Sequence, residues 1–463
     1  MKRSHEIDMT NGPIFSKVLL FSLPLMLTGI LQLLFNAADM IVVGKFAGSL
    51  ALAAVGSTGS LINLLVNVFI GISTGANVLT ARFYGSHNEA EMHKCVHTSM
   101  ALSGILGIFV GIFGSVLSTP MLKIMHTDPD VLPLSALYLR IYFLGIPATV
   151  VYNFGAAILR GIGDTDRPLR FLFISGVINV ILNLVTVVIF KLSVAGVAIA
   201  TAVSQYVAAV LVVLCLMGSE GMYRLNLRKL RFHKNMTSQI LMIGVPAGLQ
   251  SSIFSVSNVI IQSTINSFGS AVMAGSSAAN NIEGFIYTSM NSVYHAALCF
   301  TSQNIGAKKY ERLNRIMASC VICVSCFGIT LSILAFSFAP QLLTLYISAS
   351  DANLDAVVAA GITRMRYVCV PYFLCGLMEV GSGILRGLGK AWTPLVISTL
   401  GACVLRIVWI VTVFRLDPTL DMLFVSYPIS WGITLLAHFT AVFFARRKMA
   451  TKTAATVSSG FSA

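Results

Sequence analysis

The sequence predicts an all-α integral membrane protein. Twelve transmembrane helices form two six-helix bundles, parallel repeats of one another, around a central cavity. Three observations carry this: an apolar composition, apolar runs that alternate with basic loops, and an internal repeat. Of 463 residues, 56% are hydrophobic and 10% charged, and the mean hydropathy is +0.84. A soluble domain carries about 25% charged residues, so a soluble globular protein is excluded. The net charge of +14 would suggest nucleic-acid binding in a soluble chain. Here the basic residues fall in short loops, and the charge reads as topology.

Apolar runs between charged or turn-rich breaks give helices at 14–42, 51–80, 95–118, 131–158, 168–190, 194–217, 237–265, 271–300, 314–340, 353–384, 392–414 and 420–445. Each is about the 20 residues needed to cross a bilayer, or longer. Those beyond 25 are expected to tilt or bend. Pro24, Pro147, Pro246 and Pro371 lie in or near the starts of spans, and each removes a backbone hydrogen bond. The first run is too long for a signal peptide and is retained. The N-terminus, the even-numbered loops and the C-terminus hold 23 Lys and Arg, against four in the odd-numbered loops. This asymmetry predicts a multi-pass protein of the cell membrane with both termini cytoplasmic.

Helices 1–6 recur as helices 7–12. The stretch AILRGIGDTDRPL (157–169) matches GILRGLGKAWTPL (383–395), and Pro24 with Asn36 align with Pro246 and Asn258. The N-lobe is therefore read as 1–217, a basic cytoplasmic linker as 218–236, the C-lobe as 237–449 and a disordered tail as 450–463. Because six is even, the halves are parallel repeats. Two such bundles enclosing a cavity are a transporter architecture, and rocking them gives alternating access.

An ionisable side chain inside a span is a functional-site hypothesis by default. Three of 17 acids lie more than two residues inside the ends of these spans: Asp39, Glu283 and Glu379. Carboxylates can bind H⁺ or Na⁺ and can neutralise a cationic cargo. Asn36 lies near Asp39. Asn179 and Asn183, four residues apart, share one face of helix 5, where amides can coordinate Na⁺ or hydrogen-bond a protonated acid. Thr201 and Ser204 on helix 6 are further ligand candidates. Helix capping near the outer headgroups is the alternative role for Asp39; position 261, its repeat counterpart, is Ile. Glu283 and Glu379 are expected to form a C-lobe pair, with Tyr287 offering an aromatic face to a cation. Internal pairing, as of Glu379 with Arg406 or with an outer Arg, is the alternative. Arg160 and Arg386 read as helix-end anchors.

The doubled ILRG-x-G motif, NAADMIVVGKFAGSLALAAVG after Pro24, and FTSQNIGAKK together resemble the multidrug and toxic compound extrusion (MATE) family over essentially the whole chain. The resemblance implies export of organic cations driven by inward H⁺ or Na⁺. It also implies an N-lobe ion site, whose positions match Asp39, Asn179 and Asn183. Relatives that carry a second Asp on helix 5 have an acid where this chain has Asn183. No cofactor is expected beyond the coupling ion, and no metal beyond Na⁺ at those three residues. Expected partners are small-molecule organic cations and the lipid bilayer, without nucleic acid, and the chain is expected to act as a monomer.

Other classes fit less well. There is no Walker A motif, and neither G-x-S-x-G nor H-E-x-x-H, so neither an ATP-driven pump nor an enzyme is expected. A flippase of lipid-linked oligosaccharide or other amphipathic cargo is the main alternative. It should line its cavity with several Arg or Lys, whereas acids and bases are near balance in these spans. Cys320, Cys323 and Cys326 have cluster-like spacing but read as small buried hydrophobes. His93 and His97 lack a third ligand.

Overall fold

In the computed structural model, residues 6–125, 127–346 and 353–460 are described, with side chains to Lys448. The described chain is helical, as bilayer burial demands: in hydrocarbon every backbone group needs an internal partner, and a helix supplies it within one segment. The helices are α1 (Ile14–Phe46), α2 (Ser49–Gly85), α3 (Glu89–Ile124), α4 (Leu132–Gly161), α5 (Asp166–Ile189), α6 (Ser193–Met217), α7 (Lys234–Asn266), α8 (Ser270–Gly306), α9 (Leu313–Ser337), α10 (Leu354–Gly387), α11 (Trp392–Leu416) and α12 (Ser426–Gly460).

Among the described residues, eleven helices are long and apolar enough to cross a membrane. The twelfth expected span, α8, has 37 residues, a length of about 55 Å at 1.5 Å per residue. It falls short only in apolarity, because Asn280, Asn281 and Glu283 interrupt it. The last helix runs to Gly460, through much of the stretch expected to be a disordered tail. No Pro or Gly breaks that stretch before Gly460. Residues 461–463 lie outside the described ones.

By contacts the chain divides into two units: Met1–Asp8 with Leu27–Gly248, and Met9–Met26 with Leu249–Ala463. The sequence boundaries keep helices 1 and 7 whole. The contacts instead divide α1 after Met26 and α7 after Gly248, just past Pro24 and Pro246. The two division points are 222 residues apart, the same shift that aligns those prolines.

The repeat has a physical basis in its glycines. Gly163 and Gly389, the last residues of the ILRG-x-G motifs, have φ of 94° and 83°, the left-handed conformation that ends a helix and favours glycine. Two residues earlier, a Cβ on Gly161 would lie 2.9 Å from the Thr80 side chain, and one on Gly387 2.7 Å from that of Thr301. Each motif thus packs α4 on α2, or α10 on α8, at contact distance.

In unit 1, α4 packs against α2, α3 and α6. Gly107 and Gly111 let α3 approach Pro147, while Gly114 makes room for Phe143; small residues allow such close backbone approach in membranes. The opposite face of α3 (Ile105, Ile108, Phe109, Ile112, Phe113 and Val116) is at least half exposed. A bare apolar stripe of this size suits lipid rather than water. In unit 2, the second half of α10 packs on α8, α9 and α12 over a core that includes Ile261, Met378, Ala402, Phe424 and Trp431.

Among the described residues, three spans contain π-helical turns: Leu184–Ile189 in α5, Met365–Cys369 in α10 and Thr399–Val404 in α11. The one in α10 leads into Pro371, whose missing N–H interrupts the α ladder. The other two follow Asn183 and precede Arg406, and π-turns are frequent at functional sites.

Candidate functional site

Unit 1 assembles most of the polar set expected around Asp39. Asn183 Nδ2 donates to Asp39 Oδ1 and, at 3.3 Å, to Asn179 Oδ1. Asn179 Nδ2 in turn reaches Thr201 Oγ1 at 3.5 Å. The i,i+4 spacing on α5 puts both amides on one face, and α6 supplies the hydroxyl. Asn179, Asn183 and Ser204 are buried. Ser204 turns back within α6, donating to Thr201 O at 2.8 Å, and does not join the cluster. Asn36, three residues before Asp39, is exposed and takes no part in these bonds.

Asn183 Oδ1 is buried without a hydrogen-bond partner. A buried acceptor left unsatisfied costs about 1–3 kcal/mol. A cation, or a protonated Asp39 after an amide flip, would satisfy it. Tyr138 and Tyr142 of α4 lie within electrostatic reach of Asp39, and no local sequence signal pointed to them.

Unit 2 departs from the expected carboxylate pair. Glu283, buried on α8, forms an ion pair with Arg364 of α10: Nε donates to Oε1 at 3.0 Å and Nη2 to Oε2 at 2.8 Å. Arg364 Nη2 also reaches Asn280 Oδ1 at 3.0 Å. The fork geometry of a guanidinium matches a carboxylate edge to edge, and both groups need that partner because both are buried. Glu379 is half-buried and has Arg386, not Arg406, as its charged neighbour. Tyr287, 39% exposed, lies within reach of Glu379, so these two expected residues do come together.

As a helix-end anchor, Arg386 is expected at the membrane surface. Its side chain is buried instead. It donates to Tyr294 Oη and to Gln250 Oε1 at 2.8 Å. Gln250 continues to Ser398 Oγ at 3.2 Å, and Ser398 to His438 Nε2 at 3.3 Å. Sequence pattern could not find this chain, because its members come from five different helices.

The MatE family model matches residues 24–185 and 246–412. The chain belongs to the MATE family. Each segment lies within one repeat and starts at the proline inside that repeat's first helix. The probable multidrug resistance protein YoeA of Bacillus subtilis (strain 168) is 29% identical over 431 residues, 90% of this chain and 91% of that protein. The FAD transporter of Shewanella oneidensis (MR-1) is 26% identical, over 75% and 77% of the two chains. Among solved structures, a MOP superfamily transporter from Pyrococcus furiosus Vc1 (DSM3638), described for the reverse polarity of its binding pocket, superposes with a TM-score of 0.89. It shares 21% identity and covers 96% of this chain and 99% of its own. MATE proteins are transporters rather than enzymes, and this MATE chain is a multi-pass membrane transporter of two six-helix repeats.

The remaining candidates take structural places. His93 and His97 stack at 3.9 Å. His97 Nε2 accepts from Asn226 N at 3.0 Å, tying α3 to the basic linker. Cys320 and Cys323 are buried and Cys326 is exposed.

Proposed function

We propose that this MATE protein is a secondary active antiporter. It exports organic cations from the cell in exchange for H⁺ or Na⁺, by alternating access. The coupling ion takes the place of a resident cofactor, and the chain works as a monomer in the cell membrane with both termini cytoplasmic. The 23-to-four distribution of basic residues supports that orientation.

The observation that carries the reading is the Asp39 cluster. One carboxylate is held by Asn183, beside a buried amide oxygen with no donor. A carboxylate in a span costs about 2.5–3.5 kcal/mol by insertion scales, and its repeat counterpart is Ile261, buried in the core. The fold therefore does not require an acid here.

An ionised Asp39 attracts a cationic cargo. H⁺ or Na⁺ arriving at the same carboxylate removes that attraction, and Asn183 and Asn179 provide oxygens for either ion. Antiport needs ion and cargo to disfavour each other, reciprocally. One negative charge that cannot serve both gives that coupling directly.

The test is efflux of a fluorescent organic cation from proteoliposomes, with pH and Na⁺ gradients imposed separately, comparing wild type with Asp39→Asn. One gradient should drive export, and the variant should lose the response. Normal coupled export by Asp39→Asn would remove Asp39 from coupling. Failure of both gradients in the wild type would refute cation antiport.

A further inference from the structure

We infer that unit 2 carries an anion-binding site at Arg406, a place where the repeat of the Asp39 cluster has its charge reversed. The ILRG motifs align with a shift of 226, which sets Asn179 against residue 405. The π-helical turn Thr399–Val404 lies between. Its i→i+5 bonding spans one residue more than an α turn, which brings Arg406 opposite Asn179. The hydrogen bonds agree with that register. Asn179 of α5 donates to Thr201 of α6, and Arg406 of α11 donates from Nε to Ser430 Oγ of α12 at 2.7 Å.

The acid and the second amide are gone from this copy. Asp39 maps to Ile261 and Asn183 to Ile410, and both isoleucines belong to the apolar cluster that holds Tyr427 and Trp431. Arg406 is 3% exposed. Its guanidinium lies 4.2 Å from the Tyr427 ring centroid and 5.4 Å from that of Trp431. Among the described residues no carboxylate pairs with it, and its Nη2 is buried with no acceptor.

A guanidinium has five donors and stays charged. Two aromatic faces and one hydroxyl answer only part of that demand, and a buried charge needs a partner. An anion against Nη2 completes the set. Its class is a small inorganic anion or the carboxylate or phosphate group of a larger molecule, since each is a negatively charged acceptor for the Nη2 donor.

Trp431 makes the site readable. The chain has three tryptophans. Trp431 is 3% exposed, so a dissolved quencher reaches it only by binding beside it. The purified full-length protein is titrated with bromide, which quenches an indole on contact, and emission is followed. The wild type should show a saturable loss on top of the linear quenching of exposed Trp392. The saturable part should vanish in Trp431→Phe and Arg406→Met, and should move to higher bromide in Arg406→Lys, which lacks the Nη2 donor.

Displacement by chloride alone assigns an inorganic co-ion. Displacement by acetate or inorganic phosphate assigns the anionic group of a cargo. Quenching that is linear in the wild type, or saturable but unchanged in Arg406→Met, overturns the site. Should Arg406→Met not fold, the wild type and Trp431→Phe decide between the same outcomes. This readout does not depend on cation export.

Discussion

Replacing Glu283 with leucine should cost about 3–5 kcal/mol of stability, and replacing Arg364 with methionine in the same chain should restore most of it. The magnitude follows from the geometry. Glu283 accepts two charge-assisted hydrogen bonds from Arg364, at 3.0 and 2.8 Å, and both side chains are about 95% buried. Each such bond contributes about 1.5–3 kcal/mol, so losing both gives the range known for breaking a buried pair. The residual bond from Arg364 to Asn280 cannot neutralise the stranded guanidinium. With both charges removed there is no stranded group, and the double variant should lie within ~1 kcal/mol of wild type or above it. The assay is equilibrium unfolding of the purified protein in mixed micelles for all four sequences. A Glu283→Leu loss below ~1 kcal/mol, or a double variant as unstable as the two singles summed, would refute the reasoning. The same double variant should still export, because Arg364 already neutralises Glu283 and the proposed coupling charge is that of Asp39.

Asn183→Asp adds a second carboxylate beside Asp39 and should tighten cation binding by roughly tenfold, since one charge-assisted contact contributes at least ~1.5 kcal/mol; direct binding of Na⁺ to the purified protein checks this. Gly75→Ala places a Cβ 2.1 Å from Ile240 O and should destabilise by about 1–3 kcal/mol. Gly59→Ala, on the same helix with nothing within 4 Å, should be neutral or better in the same unfolding measurement. In the loop after α6, burial and a hydrogen bond to Glu6 raise the Tyr223 phenol above its usual range. The protonated form is favoured by folding, so its contribution is complete below pH ~10 and is lost as pH rises through the elevated value. Alkaline unfolding should therefore be less steep with pH in Tyr223→Phe.

Much of this protein is legible in one dimension. Bilayer thickness and backbone satisfaction admit only long apolar helices, so composition and run length set the fold class. Basic-residue bias orders the loops, and a doubled motif marks the repeat. Even Asn179 and Asn183 are readable as a pair, because i,i+4 spacing fixes a shared face. The limits appear where a partner comes from a distant helix. Glu283 and Glu379 look alike in sequence, as lone acids in apolar spans. Glu283 is neutralised by an arginine 81 residues away, while Glu379 faces Arg386 and Tyr287.

Arg386 and Arg406 show the same dependence in reverse. Each reads locally as a basic residue in or at the end of an apolar run. Only packing turns one into the head of a five-helix hydrogen-bond chain and leaves the other buried among aromatic rings, with no carboxylate paired to it among the described residues. The sequence alone determined which segments lie in the membrane and that they repeat, because those properties are sums over local residues. Tertiary structure decided which charges are neutralised and which are left to act, because in a medium of low dielectric that depends on the few ångströms between side chains far apart in the chain.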